Sequence, residues 1–302
     1  MAIKNRSEIL FIYDVKDANP NGDPVDENKP RIDEETGINI VTDVRLKRTI
    51  RDYLHDYKGL EIFVRESRNE DGNLRTKEDR LEDFGNNPEE IIKKCIDIRL
   101  FGATTAVRDK TMTITGPVQF KFGRSLHKVD LTFVKGTTVM PSRADARQGT
   151  FTERYILPYS LITFYGIVNE NAAERQNLNL TPEDINLLLE GIWNGTKNLI
   201  SGSKAGQTPR VLIHVVYKEN NFHIGELDRR VSLISDKRDE EIRDISEVKI
   251  DITELVNTLT NNKDKIEKAR YKVDDRVVLV KDGQDVSIQD VLSDLTLEEL
   301  SF

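Results

Sequence analysis

Cysteine is almost absent from this chain. There is one, Cys95, in 302 residues. That excludes an intramolecular disulfide and a cysteine-rich zinc site. Histidine is nearly as scarce: His55, His127, His214 and His223 stand at no metal-ligand spacing. No apolar run approaches the roughly 18 residues that a membrane span needs. The opening "MAIKNRSEIL" lacks the apolar core and small-residue cleavage site of a secretory signal. These absences lead us to expect a cytoplasmic protein with no membrane contact, no metal and no cofactor.

Acid outweighs base, with a net charge of −8, which by itself argues against a nucleic-acid partner. The charge is uneven, however. Residues 219–302 hold 13 Lys and Arg against 21 Asp and Glu, whereas residues 93–154 hold 12 basic against 5 acidic. The middle of the chain is therefore a basic island, and the local field matters more than the total. Hydrophobic residues make up 37% of the chain, enough for a substantial core.

"EILFIYDV", Glu8 to Val15, reads as a buried strand. It runs into "NPNGDP", Asn19 to Pro24, a rigid polar turn that opens a loop reaching to about Ile40. Thr42 then caps a helix whose buried stripe is Leu46, Ile50, Leu54 and Tyr57. Arg45, Lys47, Arg48 and Arg51 crowd the start of that helix. There they oppose the macrodipole, so local stability does not explain them. Leu60–Glu66 reads as a short strand, Arg68–Asn87 as a charged insertion or flexible loop, and Pro88–Phe101 as one helix. Thr113–Gly123 reads as a strand, Ser125–Thr152 as a basic loop, and Arg154–Val168 as a strand whose proline suggests an edge or a bulge. The clearest helix starts at Thr181, with Pro182 at its first position. It ends at "SGSKAG", and Pro209–Lys218 is the strand that follows. Beyond Gly225 the pattern suggests a strand (Leu227–Ile234), a helix (about Ile252–Ala269), a strand (Arg276–Val280) and a last amphipathic turn. The spine is strand, helix, strand, strand, helix, strand: an α+β chain in the ferredoxin-like, RNA-recognition-motif order, with large insertions.

No catalytic signature is complete. "SGSKAG" runs from a helix into a strand, whereas a P-loop runs from a strand into a helix. It is either a plain connection or a backbone grip on a polyanion through Lys204. Asp14, Asp17, Asp23 and Asp26 could pair around Mg²⁺, but aspartates also populate turns for local hydrogen bonding. The basic residues of the first helix are joined by Lys121, Arg124, Lys128, Lys135, Arg143, Arg147 and Arg154. No octamer of the kind that stacks bases on an RNA-recognition-motif sheet occurs in either central strand, so phosphate contacts are the expected mode.

Four stretches in order carry a family resemblance: "DVKDANPNGDP", "NKPRIDEETGINIVTDVRLKRTIRDYL", "RLFGA" and "ITGPVQFKFGRS". They resemble the Cas-seven family, the backbone subunit of type I CRISPR surveillance complexes (Cascade), in the branch of subtypes I-B and I-C, with I-B favoured. The resemblance implies a non-catalytic protein that polymerises along a guide RNA (crRNA) and presents it for pairing with target DNA. The implied partners are the crRNA, target DNA through the guide, further copies of this chain and the other Cascade subunits. It also implies a discontinuous RNA-recognition-motif-like palm (1–66 and 114–218), inserted fingers (67–113), a thumb-like loop or hairpin within the palm around 125–152, and an acidic C-terminal extension (219–302). Asn19, Asn21, Gly22 and Asp23 match the family's first loop; Arg45, Lys47 and Arg48 match its basic helix start; Gly123 and Arg124 match a strand end. Arg143 and Arg147 fall in the thumb region, and Lys204 falls in a loop that often nears RNA. The alternative is a metal-dependent ribonuclease cutting target RNA with Asp23, Asp26 or Asp33, as in type III backbone subunits.

Overall fold

The first long apolar run forms β1 (Ser7–Ala18). Both of its faces are buried. Ile9, Phe11, Tyr13 and Val15 join one core, and Leu10 and Ile12 join another on the opposite side. That is why the run is continuous rather than alternating. The computed structural model describes residues 2–107, 110–137 and 151–302.

After β1 come β2 (Gly22–Asp23) and β3 (Lys29–Pro30), a small ribbon inside the first loop, then β4 (Ile38–Val41) and α1 (Asp43–Asp56). An insertion follows: α2 (Lys77–Glu82), α3 (Pro88–Lys94), α4 (Ile96–Phe101) and the hairpin β5 (Gly102–Val107) with β6 (Lys110–Thr115). It has a separate small core built on Phe63, Leu81, Phe84, Ile91 and Ile98. The chain then runs through β7 (Val118–Phe120), β8 (Gly123–Lys128), β9 (Thr132–Thr137), β10 (Phe151–Val168), α5 (Glu170–Arg175), α6 (Pro182–Lys197) and β11 (Gln207–Tyr217). The last quarter supplies β12 (Ser232–Ile234), β13 (Lys249–Asp251), α7 (Thr253–Asn261), β14 (Ile266–Val273), β15 (Leu279–Lys281), β16 (Gln284–Val286), α8 (Ile288–Val291) and β17 (Leu297–Glu299).

The main sheet has the order β17-β14-β11-β1-β10-β8-β4, and β7 and β9 also pair with β10. Strands β11 and β10 both run antiparallel to β1. α1 and α6 lie on one face, where Leu46, Ile50 and Leu54 meet Leu188, Leu189 and Ile192 over the odd-numbered residues of β1. The other face is covered by the last quarter, with Leu227, Ile245, Ile250 and Leu259 packed on Leu10, Ile12, Leu161 and Ile213. Buried polar groups lock this cover in place. Glu8 accepts from the backbone N–H groups of Ile224 (2.9 Å) and Gly225 (2.8 Å) and from the hydroxyls of Tyr165 and Tyr217. Arg210 bridges Asp14, at 2.8 Å, and Asp274.

Several elements differ from the sequence-based expectation, each for a local reason. Leu60–Glu66 is irregular: the buried Asp97 carboxylate takes the N–H groups of Phe63 (2.8 Å) and Val64 (3.0 Å), replacing a strand partner. Pro88–Phe101 is broken into α3 and α4 by Cys95, whose backbone is extended. Gly116 and Pro117 split the expected Thr113–Gly123 strand. Pro158 lies in a central strand without a bulge: β10 pairs with β1 at Lys16↔Tyr159 and Ala18↔Leu157 in unbroken register, and only the pair Asp17 and Pro158 is skipped, where proline has no N–H to give and Asp17 has φ +51°. The helix expected to reach Ala269 ends at Asn261; a 3₁₀ turn (Lys263–Lys265) follows, and Ile266 opens β14, a strand of the main sheet. The expected Leu227–Ile234 strand is a short 3₁₀ turn followed by β12.

Candidate nucleic-acid interface

Three segments meet where β1 ends: the "NPNGDP" loop, the "SGSKAG" loop and the start of α1. Asn19 is buried. Its N–H donates to the Ser203 carbonyl (2.8 Å) and its Nδ2 to the Asn28 carbonyl (2.7 Å). Asn21 Oδ1 accepts from both the N–H and the hydroxyl of Thr42, at 2.8 Å each. Thr42 is the N-cap of α1 and its hydroxyl in turn accepts from Arg45 N–H at 3.4 Å. The polar turn is thus bolted to the helix that carries Arg45.

Gly22 is needed for close approach. A Cβ there would fall 2.1 Å from Asn28 Oδ1 and 2.7 Å from the Asn28 carbonyl oxygen. The left-handed backbone in this loop belongs to Glu27 (φ +46°) and Asn28 (φ +58°). On the other loop, Gly206 has φ +100° and its carbonyl accepts from Lys16 N–H at 3.0 Å. Arg154, on the part of β10 that projects past β1, donates to the Gly202 carbonyl at 3.1 Å.

Lys204 lies near enough to Arg45 across this junction to feel its charge. Burial, then the Arg45 charge, lowers the pKa of the Lys204 ammonium. Burial also lowers that of Arg45. The Arg45 guanidinium rests on Thr49 Oγ1 (2.9 Å) and Lys204 on Ser203 Oγ (3.2 Å). Among the described residues, neither has a carboxylate within ion-pair distance. Two half-buried cations, both disfavoured by their surroundings, form a natural seat for a phosphate.

The other candidates are dispersed. Lys47 pairs with Asp43 (2.8 Å) and lies 5.8 Å over the Phe101 ring, on the insertion side of α1. Helical geometry explains this, since positions 45 and 47 point about 200° apart. Arg48 is exposed and pairs with Asp52 at 2.6 Å. Arg124 is exposed on β8, 3.7 Å from Asp33. Arg143 and Arg147 lie outside the described residues.

Asp23, Asp26 and Asp33 of the first loop are engaged locally. Asp23 pairs with Arg31 (2.7 Å) and accepts from Val25 N–H (3.0 Å), and Asp26 pairs with Lys29 (2.7 Å). Asp33 takes the N–H groups of Glu35 and Thr36. Among the described residues, no group of three or more His, Cys, Asp or Glu could hold a metal ion.

The sequence marks Ser125–Thr152 as a loop or a hairpin without giving strand bounds, and β9 with the first part of β10 forms a ribbon there. Here Phe151–Ile156 pairs with Thr132–Thr137. Phe133 and Tyr155 sit with ring centres 5.1 Å apart on this ribbon, and the Tyr155 hydroxyl donates to Glu27 of the first loop at 3.0 Å. The β-branched and aromatic residues of "TFVKGT" are the available signal, masked by its glycine and high polarity.

The chain matches the family model described as CRISPR-associated protein Cas7 over residues 5–253. It is 36% identical over 310 residues to a CRISPR-associated protein Cas7 from Haloferax volcanii, covering 92% of this chain and 90% of that protein. The chain therefore belongs to the Cas7 family of CRISPR-associated proteins. Its fold is similar to a chain of a CRISPR RNA-guided surveillance complex (TM-score 0.55, 16% identity, covering 98% of this chain and 95% of the other). A chain of such a complex in a pre-nicking state is also similar (TM-score 0.57, 12% identity, 98% and 96% covered).

Proposed function

We propose that the protein is a non-catalytic, crRNA-binding backbone subunit of a type I Cascade. It packs side by side with other copies along the guide, alongside the other Cascade subunits, and presents the guide to target DNA. The observation that carries this reading is the Arg45–Lys204 pair, two cations without carboxylate partners where three fixed segments converge, in a chain of the Cas7 family. Such a seat reads phosphate and ignores base identity, which suits a subunit that must hold any guide.

The order β11-β1-β10-β8 supports a ferredoxin-like, RNA-recognition-motif-like palm, with α1 and α6 as its two helices. On this reading the insertion within 67–113 is the fingers and the β9–β10 ribbon the base of the thumb. Because the last quarter covers the face on which such domains stack bases, RNA is held at the strand ends. The local pairing of Asp23, Asp26 and Asp33 supports a non-catalytic role. The deciding experiment is RNA binding against salt. Each phosphate neutralised on a single strand contributes about 0.7 to the slope of log affinity against log salt. The Arg45→Ala/Lys204→Ala variant should flatten the slope by about 1.4 for guides of any sequence. An unchanged slope refutes the seat. Regularly spaced fragments of complementary RNA with Mg²⁺, lost in Asp23→Ala, would refute the non-catalytic reading.

A further inference from the structure

A second polar site lies at the opposite end of the sheet. β1 is twelve residues long, so its ends are separated by roughly 36 Å at about 3.3 Å per residue. Where it begins, the N-terminal segment, the first turn of α6, β11 and β14 line a half-open cavity of about 390 Å³. That lies within the range of small-ligand sites and far above the roughly 30 Å³ of one water. Ile3, Val168, Ile185 and Val216 supply an apolar wall, and Lys4, Lys268 and Arg270 bring three cations to the rim.

His214 lines this cavity and is 3% exposed, with neither ring nitrogen bonded to anything. Buried polar groups are nearly always paired, so such an imidazole calls for an explanation. Arg270 Nε is also buried without a hydrogen bond, although Glu298 lies 3.3 Å away and also pairs with Lys268 at 2.9 Å. The other carboxylate at the site, Glu267, takes the amide of Asn5. Among the described residues Lys4 has no ion pair. Burial, reinforced by Arg270 and Lys268, pushes the His214 pKa down to about 3, which keeps the ring neutral. A neutral imidazole offers one donor and one acceptor.

We propose that this cavity binds a small phosphate monoester of nucleotide size. Lys4, Lys268 and Arg270 take the phosphate, His214 hydrogen-bonds the phosphate or the adjoining hydroxyl, and the apolar wall receives the organic body. Lys268 and Arg270 share Glu298, and Lys4 adds a cation with no ion pair among the described residues, so the site favours an anion, and the apolar wall favours an esterified phosphate over the free ion. The site stands apart from the guide-RNA seat and does not depend on it.

Isothermal titration of the full chain with adenosine 5′-monophosphate, inorganic phosphate, acetate and adenosine tests this. The expected result is one saturable site for the monophosphate, weaker binding of phosphate, and none of adenosine or acetate. Arg270→Gln should weaken the monophosphate at least tenfold, and His214→Phe should abolish binding while keeping the buried volume filled. If His214→Phe does not fold, Arg270→Gln decides. Arg45→Ala/Lys204→Ala should bind the monophosphate normally, and His214→Phe should bind RNA normally, which separates this site from the guide seat. The proposal is overturned by no saturable binding at millimolar monophosphate, by equal affinity in Arg270→Gln, by loss in Arg45→Ala/Lys204→Ala instead, or by tighter binding of acetate than of the monophosphate.

Discussion

The side-chain oxygen of Asn21 accepts two hydrogen bonds from one residue, Thr42, at 2.8 Å from its backbone nitrogen and 2.8 Å from its hydroxyl. A turn that follows β1 thereby sets the N-cap of α1. Asn21→Ala leaves both donors unpaired in a half-buried site, at a cost of about 1–3 kcal/mol. We expect a lower melting temperature and weaker RNA binding together, because the start of α1 carries Arg45. Unchanged melting would mean that water replaces Asn21 without loss.

Gly22→Ala should destabilise by about 1–3 kcal/mol, since the added methyl overlaps Asn28 and the loop must shift. Adding Asn28→Gly should recover only part of that. It removes the side chain 2.1 Å from the new Cβ but leaves the carbonyl at 2.7 Å. Full recovery in chemical denaturation would show that only the side chain matters.

Lys47 provides an internal control for the phosphate seat. It is paired with Asp43 and stacked on Phe101, so Lys47→Met should leave the salt slope of RNA binding unchanged while Lys204→Met lowers it by about 0.7. Equal slopes for the two variants would place the RNA elsewhere on α1.

The β9–β10 ribbon should separate folding from assembly. β8 belongs to the main sheet, where His127 is buried and its Nε2 accepts from Leu161 N–H at 3.2 Å, so a deletion must begin after it. Replacing 132–154 by a short Gly-Ser linker should leave melting close to wild type. Length-dependent oligomers on long guides, seen by sizing, should be lost. Oligomers that persist would remove the ribbon from the contact between copies.

Acid should weaken the fold through its buried histidines. Burial lowers the pKa of both His127 and His214 below the ordinary histidine value, His214 to about 3. A histidine depressed in this way stabilises fully above the unfolded value near 6.5, and the contribution falls as pH drops below it. For His214 alone the loss from pH 7 to pH 5 is about 2 kcal/mol. His214→Phe should flatten the stability–pH profile over this range, and an unaltered profile would show that the ring is not buried neutral.

Much of the frame was legible in the residues themselves. Period-3.6 stripes and caps marked α1 and α6: Thr42 and Thr181 accept from the backbone as expected of N-caps. The unbroken apolar run of β1 announced a strand covered on both sides. The helix signals are local, because capping and helical hydrogen-bonding partners lie a few residues away; for β1 only the apolar run is local, since the strands that pair with it, β10 and β11, come much later in the chain. What covers β1 is not local. The last quarter, acidic and expected to be an extension, adds β14 and β17 to the main sheet and caps its second face through contacts such as Glu8 with Gly225, 217 residues apart. The site followed the same division. Sequence singled out Arg45, Lys47, Arg48 and Lys204, but helical geometry turned Lys47 away and only the tertiary structure brought Lys204, from a loop much further along the chain, within reach of the Arg45 charge. Charge and pattern name the residues able to hold a phosphate. Which of them keep an unneutralised charge depends on where the carboxylates fall in space, and that is decided only when the chain folds.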